Sequence, residues 1–418
     1  MEKTIGSNSQ DIKQKNRILI LKMIAINRGI SRVDIARITG LSKMTVGNLV
    51  TELIEDGFVI EQTYTELKKR NLVDSAGSTS GRKPIMLILS PQSPCICGML
   101  IKRKLCQVIL GDIGGNIIEQ ISYDYTTLAD GNTLIDMLYS GFKEISVRTD
   151  RKIIAVSIAS LGPVDSSNGI ILNPPYFYNI ENLKIQAILE EKIGLPVFLV
   201  NDANAGALAE KLYGIGKHIA NFAYLHIMNG IGAGFVFKND LYNGDTGQSG
   251  EIGHTSINFA GPLCDCGNRG CLELYANLDN MRQKIGELKR FYPKSEISKR
   301  VEPSWKEIVD FANEKDVLAF EALEEFCSYI SYALINTLKL LNISSLIIGY
   351  DSSNKGYIVE EIVHAKLSES LKAVNFGKIE VHHSLFNGDA PLIGAIAFVA
   401  DKIFSLNFSL EIKSIGRI

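Results

Sequence analysis

The sequence predicts an α/β protein of two or three domains, with a small helical head ahead of a larger body of strands and helices. Three observations carry this. The chain has 418 residues, more than one hydrophobic core ordinarily serves. Residues 13–56 place apolar side chains at helical spacing between capping residues, whereas strand-like apolar runs bounded by glycine and proline dominate after Pro91. Finally, Cys264, Cys266 and Cys271 fall within eight residues, and His254 stands ten residues upstream of the first of them. One imidazole nitrogen and three thiolates complete a tetrahedral zinc site with no position left for water.

Composition sets the class. At 46% hydrophobic and 22% charged residues the chain reads as soluble and globular. No apolar run reaches the ~20 residues that span a bilayer, so no membrane insertion is expected. The polar start Met1-Glu2-Lys3-Thr4 lacks a secretory apolar region, which points to the cytoplasm. Cys95, Cys97, Cys106 and Cys327, outside the loop, are expected as free thiols. Residues 1–84 hold 14 Lys+Arg against 9 Asp+Glu, a balance of +5, and the remainder holds 30 against 37, a balance of −7. A basic head on an acidic body suggests a polyanionic partner at one end only.

In the head, residues 13–28 place Ile18, Leu19, Leu21, Ile24 and Ala25 on one helical face. Ser31 is an N-cap for a short second helix, Gly40 its left-handed terminator, and Ser42 the N-cap of a third helix over about Lys43–Asp56. Ala36, Gly40 and Val46 then have the spacing of a helix-turn-helix. The third helix buries Val46, Leu49, Val50, Leu53 and Ile54. Together with the cap Ser42, its other face offers Lys43, Met44, Thr45, Gly47, Asn48 and Thr51 to base edges and phosphates of double-stranded DNA. Phe58–Glu61 and Ile85–Leu89 read as two strands of a wing whose tip, Gly81-Arg82-Lys83-Pro84, can enter a minor groove or clamp phosphates. A dimerising helix pair with a solvated charged loop is the competing reading.

In the body, Cys97–Leu110 and Asn116–Tyr123 read as strands, Ile153–Ile158 as a buried strand, and Leu195–Val200 as another ending in Asn201-Asp202. A carboxylate at the C-terminal edge of a strand is where an α/β fold places its chemistry. Asp202 is equally an N-cap for the helix through Ala207–Leu212. Phe222–Ile227 and Gly234–Phe237 form a hairpin around Asn229–Gly234. Trp305–Leu341 is helical, Ser344–Asp351 is a strand, and Ala390–Ile403 is a final helix. In the cysteine loop, Gly267 and Gly270 permit the tight turns that bring all donors to one ion. A reducing cytosol opposes the alternative of a disulfide with a spare thiol.

Gly250-Glu251-Ile252-Gly253-His254, followed by Cys264-x-Cys266-Gly267-x-x-Gly270-Cys271-Leu272-Glu273, resembles the signature of the ROK family (repressor, open reading frame, kinase). Its members are bacterial sugar kinases and sugar-responsive transcription factors. The resemblance implies a two-lobed actin-like ATPase fold, here preceded by a winged helix-turn-helix over 1–90. The first lobe would cover 91–203 and the second, with the structural zinc loop, 204–385, while a helix over about 386–405 returns to the first. It further implies that Gly162, Asn201, Asp202, Glu251, His254 and Glu273 bind a sugar. Asp202 stands at the position of the kinase base, and His254 would bind zinc through one nitrogen and sugar through the other. Pro175 replaces an asparagine that usually contacts sugar.

The same resemblance separates kinase from sensor. Asp112-Ile113-Gly114-Gly115 looks like the kinase phosphate loop but reads better as the next hairpin. At the place of that loop, Leu100 replaces a metal-associated aspartate, and Lys102 and Arg103 replace paired glycines. Asn229 replaces a threonine, and Tyr350 replaces the second glycine of a pair that presents to adenosine. The expectation is therefore a non-enzymatic regulator, a repressor responding to a small sugar or amino sugar, dimeric or tetrameric and acting at the nucleoid. An ATP-dependent sugar kinase with an added regulatory head is the alternative. A third reading is a regulator titrated by a membrane-bound sugar-transport protein.

Overall fold

Capping chemistry sets the head. In this computed structural model, which describes residues 9–69, 85–125, 128, 130–175, 177–228, 230–353, 355–372 and 377–405, the head comprises α1 (Ser9–Ile26), α2 (Arg32–Thr39), α3 (Lys43–Glu55), β1 (Val59–Thr63), α4 (Tyr64–Lys69) and β2 (Ile85–Leu89). Ser31 Oγ accepts from Asp34 N–H at 3.1 Å and Ser42 Oγ from Thr45 N–H at 3.0 Å, as the capping residues predict. Gly40 takes φ +71° and its N–H closes on the Ala36 carbonyl. A Cβ there would meet nothing within 4 Å, so glycine is required by the left-handed turn and not by a close helix crossing. The buried face of α1 runs through Ile18, Ile20, Leu21, Ile24 and Ala25; Leu19, expected there, is exposed. β1 and β2 pair antiparallel, and Ile30 bridges to Leu87 beside them. The short helix α4 follows β1 where no helix was anticipated. Arg82 and Lys83, expected at the wing tip, lie outside the described residues.

The body holds two five-stranded sheets built alike. The first uses β3 (Cys95–Ile101), β4 (Leu105–Asp112), β5 (Ile117–Asp124), β6 (Ile153–Ser160) and, after a two-residue hairpin β7 (Val164–Asp165) and β8 (Ile170–Ile171), β9 (Val197–Asn201). Helices α5 (Gly131–Ser146), α6 (Ile185–Ile193) and α7 (Asp202–Tyr213) belong to this run. The second sheet uses β10 (Phe222–Ile227), β11 (Ile231–Phe237), β12 (Asp240–Tyr242), β13 (Ser345–Gly349) and β14 (Glu380–His383). Its helices are α8 (Leu278–Leu288), α9 (Trp305–Asn313), α10 (Val317–Leu341), α11 (Ile358–Lys372) and α12 (Ala390–Phe404).

Strand orders are β5-β4-β3-β6-β9 and β12-β11-β10-β13-β14. Each begins with an antiparallel meander of three strands and adds two parallel ones. The internal duplication, invisible as sequence self-similarity, is explicit in topology. The stretch Cys97–Leu110, read as a single strand region, is two strands. The chain reverses at Lys102-Arg103-Lys104, where Lys102 N–H reaches the Leu105 carbonyl at 2.8 Å. Gly114 and Gly115 sit in the following β4–β5 turn, as expected.

The helices that close the two halves exchange sheets. α7, which follows the last strand of the first sheet, packs on β10 and β11, whereas α12 packs on β3 and β6. The two cross so closely that a Cβ on Gly394 would lie 2.0 Å from the Ala205 carbonyl oxygen. Lys211 of α7 pairs with Asp401 of α12 at 2.8 Å. Glu210, fully buried, accepts from Ser384 Oγ (2.6 Å), Leu385 N–H (3.0 Å) and Ile215 N–H (2.8 Å). A buried carboxylate so satisfied ties α7 to the end of the second sheet.

Head and body share one core. Ile18, Leu21, Ile24, Val46, Leu53 and Leu87 belong to the same buried cluster as Ile96, Ile109, Val200, Leu392 and Ile396. Beyond α7, Lys217 Nζ donates to the carbonyl of Ile26, the last residue of α1, at 3.0 Å.

Candidate functional site

The first sheet delivers Asn201 to its C-terminal edge and α7 starts at the next residue. Asn201 Oδ1 accepts from Ala203 N–H (2.9 Å) and Asn204 N–H (3.3 Å). Asn201, not Asp202, is therefore the N-cap; Asp202 is the first helical residue, with Oδ1 2.8 Å from Ala203 N. The sequence fitted either residue because both carry an acceptor at the right distance from the helix start. The cap frees Asn201's amide nitrogen and leaves the Asp202 carboxylate at the positive end of α7.

All six residues expected at a sugar site, Gly162, Asn201, Asp202, Glu251, His254 and Glu273, line one cavity of about 100 Å³ between the lobes. Close packing orders them. A Cβ on Gly162 would stand 2.9 Å from Asn201 Nδ2 and 3.1 Å from Glu251 Oε1, so the bare glycine admits both side chains. Glu273 lies against Gly230 of the β10–β11 turn and Gly253 of the turn Ile252–His254, with Oε2 3.3 Å and 3.1 Å from a Cβ built on each. Pro175 also lines the cavity, and its carbonyl accepts from Arg103 Nη1 at 2.5 Å. Sequence reasoning missed His226 and Met228, which reach the same wall from the end of β10. No local pattern marks them, because only the pairing of β10 with β11 brings them there.

Burial dominates the electrostatics. It pushes the Asp202 carboxyl up to about 6, against the opposing pull of the Ala203 N–H and the Lys102 ammonium. Glu251 rises to about 7 through burial, then through the nearby Asp202 and Glu273 charges. His226, inside the wall, falls to about 3 through burial and then Lys102, so it is a neutral imidazole near pH 7. Lys102 sets a positive charge in the same cavity. Carboxylates, amides and a cation around a small cleft can hold hydroxyl groups in fixed directions.

Behind Glu251 and Glu273 the four expected metal ligands converge. The ligand atoms of His254, Cys264, Cys266 and Cys271 all lie within 4.8 Å of one another. Cys264 Sγ is 3.7 Å from His254 Nδ1, and Cys266 Sγ is 3.6 Å from Cys271 Sγ. Thiolates bound at ~2.3 Å around a tetrahedral ion stand ~3.8 Å apart. Gly270 takes φ +63° with Asn258 O only 1.8 Å from the place of a Cβ, so no other residue fits this turn. The donor set and spacing fit zinc, and His254 Nδ1 is the nitrogen on the cysteine side.

On the head, Lys43, Met44, Asn48 and Thr51 are exposed along α3, and Thr45 and Gly47 are half-buried. Ser42 is exposed, with its hydroxyl committed to the cap. A Cβ on Gly47 would meet nothing within 4 Å, so no packing inside the protein requires glycine there. Tyr350, expected to fill nucleotide space, is buried; its hydroxyl donates to Glu360 Oε2 at 2.8 Å and its ring meets His383 at 4.9 Å.

Comparison with known proteins bears on this geometry. A sequence profile of the ROK family matches residues 102–402, and one for winged helix-turn-helix DNA-binding segments matches residues 13–60. The xylose repressor of Bacillus subtilis (strain 168) is 29% identical over 402 residues, spanning 94% of this chain and 97% of its own. The DNA-binding transcriptional repressor Mlc of Escherichia coli (strain K12) is 24% identical over 405 residues, spanning 96% of each. A solved ROK family transcriptional regulator, described as a homologue of the E. coli MLC protein, has a TM-score of 0.72 at 26% identity and covers 94% of this chain and 98% of its own. The ROK family glucokinase from Streptomyces griseus, in complex with glucose and AMPPNP, has a TM-score of 0.62 at 24% identity. It covers 74% of this chain and 99% of its own, a likeness of fold alone.

Proposed function

Because the chain belongs to the ROK family and sets a winged helix-turn-helix before the family domain, we propose that it is a sugar-responsive DNA-binding transcriptional regulator. In this reading it represses genes of carbohydrate uptake or metabolism. The carrying observation is that its similarity to the xylose repressor and to Mlc runs through head and body together. Under this reading residues 1–90 read DNA. Residues 91–203 and 204–385 form the two lobes, and 386–405 returns to the first.

The effector, a small sugar or amino sugar, would donate hydroxyls to Asp202, Glu251 and Glu273, with Asn201 as donor and Gly162 leaving room. His254 would present Nε2 to the sugar while Nδ1 joins Cys264, Cys266 and Cys271 on a structural zinc. That ion would hold the loop carrying Glu273 in place and would leave no open position for chemistry. On DNA, Asn48 would pair with adenine, and Met44 would meet a thymine methyl. Lys43, Thr45, Thr51 and Ser42 would face the backbone or base edges, and the space around Gly47 supports close approach.

Coupling would be a shift between closure states of the lobes. α7 starts at Asp202 in the cavity and runs ~18 Å to Tyr213, whose hydroxyl donates to the Ile113 carbonyl at 2.9 Å. Lys217, just beyond, holds the end of α1. A sugar preferring one closure state would thus bias the heads of a dimer or tetramer against operator half-sites ~34 Å apart.

Against phosphoryl transfer stand Lys102 and Arg103 in the β3–β4 turn, Leu100 buried before them, and buried Tyr350. Release of ADP from ATP with any hexose would favour a kinase carrying an added head. Among the described residues no helix is long and apolar enough to cross a membrane, in keeping with a cytoplasmic regulator. A sugar-transport protein as a further partner is testable by pull-down. The deciding experiment is fluorescence anisotropy with the DNA upstream of the protein's own gene, in stepped salt, with and without a sugar panel. Specific binding that one sugar alters supports the reading. Binding equal on scrambled DNA and collapsing with salt reduces it to phosphate attraction.

A further inference from the structure

The sugar cavity does not end at its own walls. It shares Arg103, Met228, Gly230, Ile231 and Glu273 with a second chamber of about 820 Å³ that runs along the start of α8. The inner cavity, at about 100 Å³, is well below the ~300–1,000 Å³ typical of small-molecule sites, and the chamber lies within that range. An effector confined to the inner cavity would leave most of the connected space to water.

The chamber's lining says what would fill it. Trp305 and Phe326 contribute two rings with centroids 4.9 Å apart, tilted by 59°. Lys104 contributes an ammonium alongside, while the amides of Asn277 and Asn280 shape the wall: Asn277 Nδ2 donates to the Glu273 carbonyl, its Oδ1 caps α8, and Asn280 Nδ2 donates to the Leu274 and Tyr275 carbonyls. Ring faces take the C–H face of a pyranose, and charged groups take its hydroxyls. Charge in the wall is close to balanced: Arg103, Lys104 and Arg282 stand against Glu273 and Asp279, with Arg282 Nη1 3.2 Å from Asp279 Oδ1. A wall of mixed sign suits a neutral polyhydroxylated molecule better than a triphosphate.

We propose that the effector is an oligosaccharide of two or more units. Its terminal unit occupies the cavity of Asp202, Glu251 and Glu273, and the next unit occupies the chamber beside Trp305. This rests on the sugar-sensor reading and goes beyond it by fixing ligand length.

The protein carries its own reporter, since Trp305 is its single tryptophan. Full-length protein is titrated with xylose against xylobiose, glucose against cellobiose, and Mg·ATP. Tryptophan emission reports the chamber, and calorimetry reports total binding. The expected result is a disaccharide that shifts Trp305 emission and binds about ten-fold or more tighter than its own monosaccharide. Trp305→Leu, which removes the ring but touches none of the inner cavity's lining, should erase that advantage in calorimetry and leave monosaccharide affinity unchanged. A disaccharide that binds no tighter than its monosaccharide overturns the proposal, as does an emission shift produced by Mg·ATP and by no sugar. If a monosaccharide alone binds and alters DNA affinity, only the length assignment falls. If no saccharide of either length binds, the sugar-sensor reading falls with it.

Discussion

Lys217 Nζ donates a hydrogen bond of 3.0 Å to the carbonyl of Ile26, a residue 191 positions earlier in the chain. The donor follows α7, whose first residue lines the proposed sugar cavity, and the acceptor ends the first helix of the head. Half-buried, the lysine has its pKa lowered by burial and by nearby Arg28. Lys217→Met should remove this tie while keeping the side chain's bulk. DNA affinity without sugar and sugar affinity without DNA should stay within about two-fold, while the change in DNA affinity on adding sugar shrinks several-fold. An undiminished sugar effect in anisotropy titrations would exclude this contact from the coupling.

Asp202 titrates near the physiological range because burial lifts its carboxyl to about 6. The ionised form accepts hydrogen bonds from sugar hydroxyls without offering a competing proton. Glu251, a second acceptor, is lifted to about 7, so sugar affinity should hold above about pH 7 and fall as pH drops first through the Glu251 value and then through that of Asp202, by at most about ten-fold per unit for each group. Asp202→Asn should weaken sugar binding and flatten that part of the profile. Calorimetry between pH 5 and pH 8 checks both, and an unchanged slope in the variant would assign the titration elsewhere.

Cys266 is the exposed member of the four-ligand cluster. Cys266→Ser should lose the metal to a chelator far faster than the parent. Loss of loop support should lower sugar affinity by about 10–100-fold, the usual effect of disturbing a supporting metal shell. Sequence-specific DNA binding by the head should survive. Metal content by elemental analysis, read beside anisotropy, separates the two effects.

On α3, Asn48→Ala should cost about 1–3 kcal/mol of specific DNA affinity and relax discrimination at one base pair. Lys43→Ala should weaken all DNA alike and reduce the salt slope by about 0.9. Competition with operator variants distinguishes base reading from phosphate attraction. Equal loss on specific and scrambled DNA for Asn48→Ala would remove it from the readout.

Where α7 and α12 cross, Gly394→Ala should force the Ala205 carbonyl away from a contact of 2.0 Å. Such overpacking costs about 1–3 kcal/mol or more. Thermal unfolding should shift downward, and the sugar response should weaken because both lobes' sheets meet these helices. A variant as stable as the parent would mean the crossing yields without strain.

What the sequence made legible was local chemistry. Ser31, Gly40 and Ser42 announce the head because a cap or a left-handed turn is decided by a residue and its neighbours within four positions. The cysteine loop is legible for the same reason, its ligands lying within eighteen residues from His254 to Cys271. The wing strands were expected in the right places, yet α4 was not: β1 runs into it without a glycine or a proline, and its one local signal, the capping box of Thr63 and Glu66 (Glu66 N–H to Thr63 Oγ1 3.3 Å, Thr63 N–H to Glu66 Oε2 2.8 Å), was passed over. Asp202 was legible equally as a cap or as a site carboxylate, because Asn201, one residue earlier and the actual cap, offers the same acceptor. The pairing of Lys217 with Ile26, the anchoring of Glu210 by Ser384, and the joining of His226 to Asp202 all depend on chain segments far apart in sequence. Periodicity cannot register such contacts. The duplicated strand order was hidden for a related reason: topology repeats without its side chains repeating.

The shared core of Ile24, Leu87, Ile109 and Ile396 makes the head the end of a stiff arm. A head hung on a loose tether would average out small rotations of the body before they reached DNA, and signalling would have to act through local concentration. Here a tilt of the lobes would move α3 as the tip of a lever moves, with displacement growing with distance from the crossing of α7 and α12. In the dimer proposed above, the phase of the two tips along the double helix, not the grip of either one, would be the quantity that a sugar adjusts.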